Sequence, residues 1–447
     1  MTTSNPSMSF RGREFVGFNL DYSYPEMNSE KPADIIVIGA GPAGLMAAGQ
    51  AASVGGRVWL LEKMDQPGRK LRITGMGRCN LTNTAGLEDF IGHFGPSGVF
   101  LRQAFARFFS AELVDFLSTI GISTAVERGG RVFPVEDDAA SVAEKLVAWT
   151  KSCGVVLRCG CPVEVVVAQA GTATGVRTRA GEWLPARAVI LATGGASYTG
   201  TGSTGDGYHM AAALGHTIRP LRPALVPIKT LGGAARRLQG LALRNARVRV
   251  LVDAQPRAEE FGELMFTHFG LSGPVILTLS GMIVDAWQAG KKVEISIDLK
   301  PALDEAKLDA RLLRELDTGG AAPLRSALKR LLPRALIPVC AELAGLDADK
   351  PCGQVTAVER QRLRAWLKDF RLAVSGHLPL EAGMVTAGGV ALEEVDPRTM
   401  GSRLVGGLYL AGEVLDLAAD TGGFNLQAAF STGWLAGRSA AQGARDF

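Results

Sequence analysis

The clearest pattern of hydrophobic positions occupies residues 34–62. An apolar β-branched run, IIVI, leads into a glycine-rich turn, an alanine-rich stretch with helical character follows, and a second apolar run, VWLL, ends just before Glu62. Short apolar runs of this kind are typical of buried strands, and a strand, a helix and a strand in succession form a βαβ unit. The pattern therefore predicts two strands joined by a crossover helix.

The rest of the chain changes its pattern twice. Residues 154–187 favour short strands joined by glycine turns, and AVILATGG at 188–195 predicts a buried strand. From 219 to 380, strand-like alternation gives way to helical spacing, which runs from about Asp304 to Leu372. After Glu381 the glycine-rich turns return, with a strand LYLAGE and a helix that starts near Gly423.

Composition narrows the class of protein. Of the 55 glycines among 447 residues, 27 fall in residues 34–83, 188–216 and 383–437. The six cysteines are too few for a disulfide scaffold and lack the spacing of a zinc site, so we expect a reducing compartment and no metal. The stretch from Leu271 to Trp287 is too short for a membrane span and contains Asp285. Residues 1–33 lack a signal-peptide pattern, so we expect a cytoplasmic protein with a disordered N-terminal extension.

The formal net charge of +4 is unevenly distributed. Residues 219–380 carry 25 Lys and Arg against 17 Asp and Glu, so the remainder of the chain is acidic. Two basic runs make RNA one candidate partner, although a solvated surface is the simpler interpretation. The runs consist of Arg244, Arg247 and Arg249 on a predicted strand, and of Arg360, Arg362, Arg364 and Lys368 on a predicted helix.

The turn of the βαβ unit carries the first chemical signal. Gly39, Gly41 and Gly44 form a GxGxxG motif between strand and helix, and Glu62 lies 18 residues beyond the last glycine. The first glycine permits the tight turn, the second lets the backbone approach a pyrophosphate, and the third lets helix and strand pack closely. Because an acid at this spacing accepts a hydrogen bond from an adenosine ribose, the motif predicts a dinucleotide site.

A second match to the motif, Gly200, Gly202 and Gly205, follows the strand predicted at 188–191. Its first glycine trails the strand by several residues, and the next acid after Asp206 is Asp253. Because no acid lies about 20 residues beyond this motif, we do not expect a second nucleotide site of Rossmann type.

Residues 66–83, QPGRKLRITGMGRCNLTN, are too rich in glycine and polar residues to form a regular element. The segment is either a ligand loop or a solvated basic turn. In a ligand loop, Arg69, Lys70 and Arg78 would meet phosphate or a flavin carbonyl, and the glycines would let the backbone approach a flat ring.

Six motifs taken in order resemble the BaiN/YhiN-like family of FAD-dependent oxidoreductases. One departure is Met76, where members usually have glycine in the loop before Arg78. The motifs, which span about residues 34–437, are GAGPAG with Glu62, GRKLRITGMGRCNLTN, ATGGASYTGTGSTGDGY, FTHFGLSGP, MVTAGGV and GLYLAGEVLDLAADTGGFNLQAAFSTGWLAG.

The resemblance implies an α/β fold related to the flavoproteins of succinate dehydrogenase and fumarate reductase. It implies a discontinuous Rossmann-like FAD-binding domain of three layers, with a parallel sheet and a β-meander. This domain would comprise residues 34–218 and 381–447. An inserted substrate or cap domain would supply a β-barrel at 219–300 and helices at 301–380.

The resemblance also implies which residues contact FAD. The first glycine motif would hold the ADP half, the loop at 69–80 and the end of the strand at 188–191 would contact the flavin, and Glu413 would bind the ribityl chain. The start of the last helix would stabilise negative charge on the reduced ring. The predicted contacts are Gly39, Gly41, Ala43, Gly44, Glu62, Lys63, Arg69, Lys70, Gly77, Arg78, Cys79, Asn80, Thr193, Gly194, Gly412, Glu413, Gly423, Asn425 and Leu426.

Family activities imply reduction of a carbon–carbon double bond conjugated to a carbonyl, in a small steroid-like molecule or in a uracil ring of ribosomal RNA. NADH or NADPH would be a transient donor, since no second dinucleotide fold is evident. His268 and Cys79 are the candidate proton donors, each with a structural role as the alternative. Arg131 would anchor an anionic substrate or, more simply, form a surface salt bridge. A non-catalytic or redox-sensing flavoprotein and an oxidase are the rival functions, and we expect neither a membrane nor a stable protein partner.

Overall fold

The first strand of the central sheet is buried on both faces. A computed structural model describes residues 33–445, in which the run IIVI forms strand β1, Ile35–Ile38, with all four side chains buried. Apolar residues on both faces are expected of a parallel strand that is covered on both sides. The remaining strands are β2 (Val58–Leu61), β3 (Thr82–Asn83), β4 (Thr124–Val126), β5 (Arg131–Pro134), β6 (Val156–Arg158), β7 (Val163–Gln169), β8 (Thr172–Thr178), β9 (Trp183–Pro185), β10 (Ala188–Leu191), β11 (Ile218–Ala224), β12 (Ile228–Thr230), β13 (Ala242–Val252), β14 (Gln255–Phe266), β15 (Gly270–Ser272), β16 (Val293–Asp298), β17 (Phe370–His377), β18 (Val385–Val390) and β19 (Leu408–Leu410).

The helices connect these strands and cover them. They are α1 (Pro42–Ser53), α2 (Leu87–Gly92), α3 (Arg102–Phe105), α4 (Ser110–Thr119), α5 (Ala139–Ser152), α6 (Asp206–Ala213), α7 (Ala234–Arg237), α8 (Pro274–Gln288), α9 (Glu305–Gly319), α10 (Leu324–Leu328), α11 (Leu336–Leu343), α12 (Ala357–Lys368) and α13 (Gly422–Gly443).

The central sheet is parallel, with the strand order β19, β10, β1, β2 and β6. Ile35 of β1 lies opposite Val58 of β2 on one side and opposite Ala188 of β10 on the other. The predicted βαβ unit is therefore confirmed, and the strand predicted at 188–191 is the parallel neighbour of β1. The strands β7, β8 and β9 form a separate antiparallel meander, as the resemblance implied.

Two glycines allow the last helix to approach the first very closely. A Cβ added at Gly433 would lie 2.3 Å from the Ala43 carbonyl oxygen, and one added at Gly437 would lie 2.2 Å from that of Ala47. Any larger residue at either position would force α1 and α13 apart. The start of the βαβ unit and the C-terminal helix are thereby packed together although they are at opposite ends of the described chain.

The inserted region forms a closed antiparallel barrel with the strand order β12, β15, β14, β13, β16 and β17. We expected helical structure to continue to Leu372, but α12, the last helix of the inserted region, ends at Lys368 and β17 starts at Phe370. In β17, Phe370, Leu372 and Val374 are buried while Arg371 is exposed, so the period of two expected of a strand replaces helical spacing. The helices α9 to α12 therefore form an excursion between two barrel strands.

The two ends of the inserted region lie side by side. Strand β11, before the barrel, pairs in an antiparallel manner with β18, after it, with Ala224 opposite Val385. The strand-forming part of 219–300 is thus divided between this two-stranded junction and the barrel, which begins at Ile228. The fold class predicted from the sequence, a parallel-sheet α/β domain interrupted by a barrel with helices, is confirmed.

The sequence also led to expectations about membrane spans, metal sites, cysteines and the N-terminal extension. Between residues 33 and 445, no helix is long and apolar enough to cross a bilayer. Within the same range, no cluster of three or more His, Cys, Asp or Glu side chains is arranged to hold a metal ion. The six cysteines are unbridged. Residues 1–32 of the predicted N-terminal extension lie outside the described residues.

Candidate cofactor and active site

A cavity of about 650 Å³ lies at the carboxyl ends of four neighbouring parallel strands, β1, β2, β10 and β19. In open α/β sheets this edge is where ligands bind. All three glycine-rich segments contribute to its walls, and Met265, Ser272 and Leu277 close it from the inserted region. Of the predicted cofactor contacts, those that line the cavity are Gly39, Gly41, Ala43, Glu62, Lys63, Arg69, Lys70, Arg78, Asn80, Thr193, Gly194, Gly412, Glu413, Asn425 and Leu426.

The first glycine motif has the geometry that a dinucleotide requires. Gly39 has φ +97°, and an added Cβ there would lie 2.6 Å from the Ala192 carbonyl oxygen. A Cβ at Gly44 would lie 1.8 Å from the Gly39 carbonyl oxygen, so this glycine serves packing and does not line the cavity. Gly41 lines the cavity and has open space where its Cβ would be, and no side chain caps the helix that starts there. The free amides of α1 therefore face room for an anion.

Glu62 directly follows β2, and two backbone amides hold its carboxylate. Its carboxylate accepts hydrogen bonds from Ala40 N at 2.8 Å and from Met64 N at 2.9 Å. These contacts fix the carboxylate at the cavity edge beside the first glycine turn. An acceptor at this position suits a ribose hydroxyl, as the spacing predicted.

The second glycine motif belongs to the same cavity. Lys63 Nζ lies 2.7 Å from Asp206 Oδ2 and also contacts Thr204, so the loop is clamped against the end of β2. Burial raises the pKa of Asp206, but the hydrogen bonds from Lys63 and Thr204 outweigh it, so the net pKa is below the ordinary value. Gly202 lines the cavity, and a Cβ there would lie 2.9 Å from Met64 Cγ. The motif therefore forms a wall of the predicted site.

Thr193 and Gly194, which follow β10, line the cavity. The Thr193 hydroxyl, however, is directed to α6 and is not placed to contact a ligand. The Thr193 Oγ1 atom is buried without a hydrogen-bond partner, and a Cβ added at Gly207 would lie 1.9 Å from it. This hydroxyl packs against α6. A ligand contact at Thr193 would consequently come from its backbone.

Lys70 and Glu413 form the charged centre of the cavity. Lys70 Nζ lies 2.8 Å from Glu413 Oε2 and 2.9 Å from the hydroxyl of Ser197. Glu413 Oε1 also accepts a hydrogen bond of 2.7 Å from Thr386 N. This network joins four segments: the loop after β2 through Lys70, the loop after β10 through Ser197, strand β18 through Thr386 and the turn after β19 through Glu413.

The loop at 71–79 follows an unusual backbone path. Gly75, Met76 and Gly77 have φ values of 59°, 56° and 87°, in the left-handed region that favours glycine. Met76, the residue that departs from the family pattern, is therefore strained, and its side chain is 95% exposed. Gly77 does not line the cavity.

The amide of Asn80 connects this loop to the start of α13. With its oxygen directed to the Gly423 N–H, 3.3 Å away, its nitrogen donates to the Thr82 carbonyl at 3.2 Å. Asn425 fixes the preceding turn, since its side chain bonds to both the N–H and the carbonyl of Ala419, at 2.9 and 3.0 Å. The helix start predicted near Gly423 is confirmed, although Gly423 lies behind Asn80 and does not itself line the cavity.

The two candidate proton donors are not among the residues that line the cavity. Cys79 is fully buried, and its burial raises the pKa of the thiol to about 11. His268 is exposed in the loop between β14 and β15, with its ring against Phe269. Their catalytic roles remain predictions.

Tyr198 and Arg131 line the cavity although neither was selected from the sequence as a principal candidate. Arg131 forms no ion pair within residues 33–445. Its Nε donates to the Arg128 carbonyl at 3.1 Å, and its guanidinium lies 5.7 Å from the Phe133 ring centre. The simple expectation of a salt bridge is thus not met within the described residues, and Arg131 is instead one of the residues that line the cavity. Tyr198 falls within the family motif ATGGASYTGTGSTGDGY, but only Thr193 and Gly194 of that motif were given a role, which explains why sequence reasoning missed it.

A further cluster beside α13 was also missed. His93 Nδ1 lies 2.8 Å from Asp420 Oδ1, and the His93 ring stacks on Phe424 with a centroid distance of 3.8 Å. The hydrogen bond from Asp420 raises the pKa of His93, and charges on Asp89 and Glu260 act in the same direction. The three acids lie on α2, on barrel strand β14 and before α13, so only the fold brings them together.

Most cations of the basic runs lie close to acids, which several of them share. Arg247 and Arg249 face Glu259, at 3.4 and 3.8 Å. In the helical run, Arg360 and Arg364 share Asp309, at 3.1 and 3.5 Å, and Lys368 lies 2.5 Å from Asp298. The excess charge of 219–380 therefore does not form a continuous array of free cations along these two runs.

The cavity fits FAD on the observations above. It offers uncapped amides at the start of α1 and the fixed carboxylate of Glu62 beside them. It also offers the carboxylate of Glu413, which follows β19, and the start of α13. A parallel Rossmann sheet with such a site and an inserted cap defines the class of FAD-dependent oxidoreductases.

Comparison with known proteins agrees with this class. The family model described as HI0933-like protein Rossmann domain matches residues 33–439. The chain is 35% identical over 409 residues to the 3-dehydro-bile acid delta(4,6)-reductase of Clostridium scindens, covering 91% of this chain and 98% of that protein. It is 32% identical over 401 residues to the ribosomal RNA dihydrouridine synthase of Escherichia coli, covering 90% and 96%. The chain belongs to this HI0933-like family, the BaiN/YhiN-like oxidoreductases identified from its motifs.

Solved structures share the fold at low sequence identity. The 3-ketosteroid delta1-dehydrogenase of Sterolibacterium denitrificans matches with a TM-score of 0.50 at 15% identity, covering 92% of this chain and 99% of that one. A quinol-fumarate reductase matches with a TM-score of 0.50 at 18% identity, covering 93% and 71%.

Proposed function

We propose that this protein binds FAD in the cavity and reduces a carbon–carbon double bond conjugated to a carbonyl, with NADH or NADPH as the transient electron donor. The observation that carries the proposal is the convergence of three distant glycine-rich segments on one cavity that the inserted region closes. The name of the Clostridium scindens relative, a delta(4,6)-reductase, supports the reaction type.

The chain would hold the two halves of the cofactor at different ends of the cavity. Gly41 and the amides of α1 would bind the pyrophosphate, and Glu62 would bind the adenosine ribose. Glu413 would bind the ribityl chain, and the start of α13 would stabilise negative charge at the ring. When bound, FAD supplies a two-electron carrier that accepts a hydride from a donor and returns it to an acceptor carbon.

Several apolar side chains of the cavity wall are suited to an apolar substrate. Phe133, Met265, Leu277 and Met384 line the cavity, and methionine and aromatic side chains adapt to irregular apolar surfaces while excluding water. The Arg131 guanidinium lies in the same cavity without an acidic partner in the described chain. It would orient the substrate carbonyl and stabilise the negative charge that develops on its oxygen.

A small conjugated molecule is favoured over RNA as the substrate. The RNA alternative draws support from the name of the Escherichia coli relative. Here, five of the seven residues in the basic runs are engaged by acids. A phosphate-binding surface needs cations that are free to replace condensed counterions. The apolar cavity wall is therefore the better guide to the substrate.

Anaerobic flavin spectroscopy tests the proposal. FAD-loaded protein is mixed with NADH or NADPH and then with a 3-oxo-4-ene steroid or a uridine-containing ribosomal RNA fragment. We expect the donor to bleach the flavin and the steroid to restore its colour, with a product two mass units heavier. Recovery only with RNA would favour the alternative substrate, and peroxide formation in air without reduced product would indicate an oxidase. A flavin spectrum that no donor or acceptor changes would leave a non-catalytic flavin-binding protein.

A further inference from the structure

The proposed reduction needs a proton as well as a hydride, and the acidic groups in the cavity are mostly committed. Glu62 accepts from two backbone amides, and Asp206 and Glu413 are paired with Lys63 and Lys70. The donors of the Lys70 ammonium are directed to Ser197 and to both oxygens of Glu413. These groups hold one another in place and are poorly disposed to give a proton to carbon.

Few other acids line the cavity. Threonine and serine hydroxyls are much weaker acids than a phenol, whose ordinary pKa is about 10, and an arginine pKa lies above about 12. Cys161 lies at the adenosine end, where its N–H donates to the Glu62 carbonyl at 2.9 Å. No histidine of the described chain lines the cavity, and Tyr198 supplies its one phenol from residues 33–445.

The residue that precedes Tyr198 places its loop at the end of the cavity where we expect the flavin. That residue, Ser197, is fully buried and accepts the hydrogen bond from Lys70 Nζ, beside Glu413. Tyr198 N donates to the carbonyl of Glu381, at 3.2 Å, where the chain returns from the barrel. The loop that carries Tyr198 reaches the adenosine end of the cavity further along the chain, where Gly202 and Asp206 contact the segment after β2.

The backbone holds this tyrosine in an unfavourable conformation. Its φ and ψ are 51° and 53°, a left-handed geometry that costs a bulky residue roughly 1–2 kcal/mol. The Thr201 hydroxyl donates to the Tyr198 carbonyl at 2.7 Å and stabilises the turn that follows. A strained residue held on both sides at a cavity wall is characteristic of a functional site. The side chain is 38% exposed, so solvent can return a proton to it.

We propose that Tyr198 is the proton donor of this reaction, an inference that rests on the proposed function. The β carbon of the substrate accepts a hydride, with its electron pair, from the two-electron-reduced cofactor, which is thereby reoxidised. The α carbon accepts a proton from the Tyr198 O–H bond. The resulting phenolate regains a proton from water, so the double bond gains two hydrogens and the protein is unchanged.

The test compares FAD-loaded wild-type protein with Tyr198→Phe and with Tyr409→Phe. Tyr409 is a matched control because its hydroxyl lies 3.3 Å from the Ser439 carbonyl and it does not line the cavity. Each protein is reduced anaerobically with dithionite, which avoids any assumption about the natural donor, and then mixed with the 3-oxo-4-ene steroid. Reoxidation by ferricyanide, which requires no proton on carbon, is measured in parallel.

We expect Tyr198→Phe to keep normal FAD content and normal reoxidation by ferricyanide, and to slow reoxidation by the steroid about 100-fold or more. The dissociation constant of the steroid for the oxidised holoprotein, read from the flavin spectrum, should change by no more than about threefold, since the proton is transferred only in the transition state. Tyr409→Phe should behave as wild type throughout.

Three results would overturn the inference. Steroid reoxidation of Tyr198→Phe within threefold of wild type would show that the phenol gives no proton, and the proposed function would stand. A large loss of steroid binding with an unchanged rate at saturation would make Tyr198 a binding residue. If neither a steroid enone nor a uridine-containing RNA reoxidises the wild-type protein, the proposed function fails first and the inference with it.

Discussion

Lys70 and Glu413 are 343 residues apart in the chain, and their side chains form an ion pair of 2.8 Å between Nζ and Oε2. The carboxylate also accepts from Thr386 N, and the ammonium also donates to Ser197. This one contact therefore ties four separate segments together at the cavity that we assign to FAD. Both side chains are about one-fifth exposed, so the pair is only partly screened by solvent.

Substitution of Lys70 and Glu413, singly and together, should reveal an energetic coupling between the two side chains. We expect Lys70→Met and Glu413→Gln each to lower the free energy of unfolding, and the double variant to lower it by less than the sum. The coupling energy should be about 1–3 kcal/mol, because groups that share a network are not additive. Urea unfolding of the four proteins measures it. The exposed neighbouring pair Arg69 and Asp65 is the control, with an expected coupling of about 0.5 kcal/mol or less. Strict additivity for Lys70 and Glu413 would contradict the network.

The carboxylate of Glu62 should govern cofactor retention. Because a hydrogen bond to a charged group contributes about 1.5–3 kcal/mol, Glu62→Ala should weaken FAD binding roughly 10- to 100-fold. Glu62→Gln, which keeps one acceptor oxygen, should lose less. The ratio of flavin to protein absorbance after gel filtration provides the measurement. Glu88→Ala, at an exposed surface pair with Arg102, should keep its flavin. Normal flavin content in Glu62→Ala would refute our assignment of the first glycine motif.

Met76 provides a prediction about strain. Its φ of 56° and its exposure mean that Met76→Gly removes a steric cost without removing buried contacts. We expect the free energy of unfolding to rise by up to about 1 kcal/mol, the left-handed penalty less the entropy that glycine loses on folding. Ile73→Gly, in ordinary helical geometry of the same loop, should lower it by about 1 kcal/mol. A Met76→Gly variant as destabilised as Ile73→Gly would show that the strain is absent.

Two histidines should affect stability with opposite dependence on pH. The Asp420 hydrogen bond raises the pKa of His93, so its contribution is fully present below the unfolded pKa of about 6.5 and is lost as pH rises through the folded pKa. Burial lowers the pKa of His216, although Glu394 acts in the other direction. Its contribution is present above about pH 6.5 and is lost as pH falls through the folded pKa.

Unfolding free energies of the wild type, His93→Gln and His216→Gln at pH 5.5 to 8.5 would test these signs. The destabilisation caused by His93→Gln should shrink as the pH rises, and that caused by His216→Gln should shrink as the pH falls. Direct NMR titration of the two imidazoles checks the pKa directions independently. Parallel curves for the two variants would contradict the opposite environments seen in the structure.

Local pattern was sufficient for much of the fold. The run IIVI, the glycine turn and the alanine-rich helix specify a βαβ unit by themselves, because strand, turn and helix preferences act over a few residues. The same reasoning misplaced the end of the helical region, since Phe370 to Leu372 continue an apolar pattern that suits a helix or a strand. The pairing of β17 with β16 and β12 decides the matter, and those partners are distant in sequence.

The second glycine motif marks the limit of this reasoning at the site. Its missing acid argued against a separate nucleotide fold, which stays a prediction, whereas the ion pair between Lys63 and Asp206 and the position of Gly202 on the cavity wall show that its loop belongs to the first site. Tyr198 is the clearest case. A lone tyrosine in a glycine-rich loop has no chemical signature, and its interest comes from a left-handed backbone and a position on the cavity wall.

From the sequence alone, the elements of the nucleotide fold, the fixed positions of its glycines and the family could be determined, because these depend on backbone geometry over short stretches. The tertiary structure alone decided which charges meet, which candidate donors do not line the cavity and which tyrosine does. Such contacts join residues hundreds of positions apart, and the packing of α13 on α1 and of the barrel on the sheet determines which of them form.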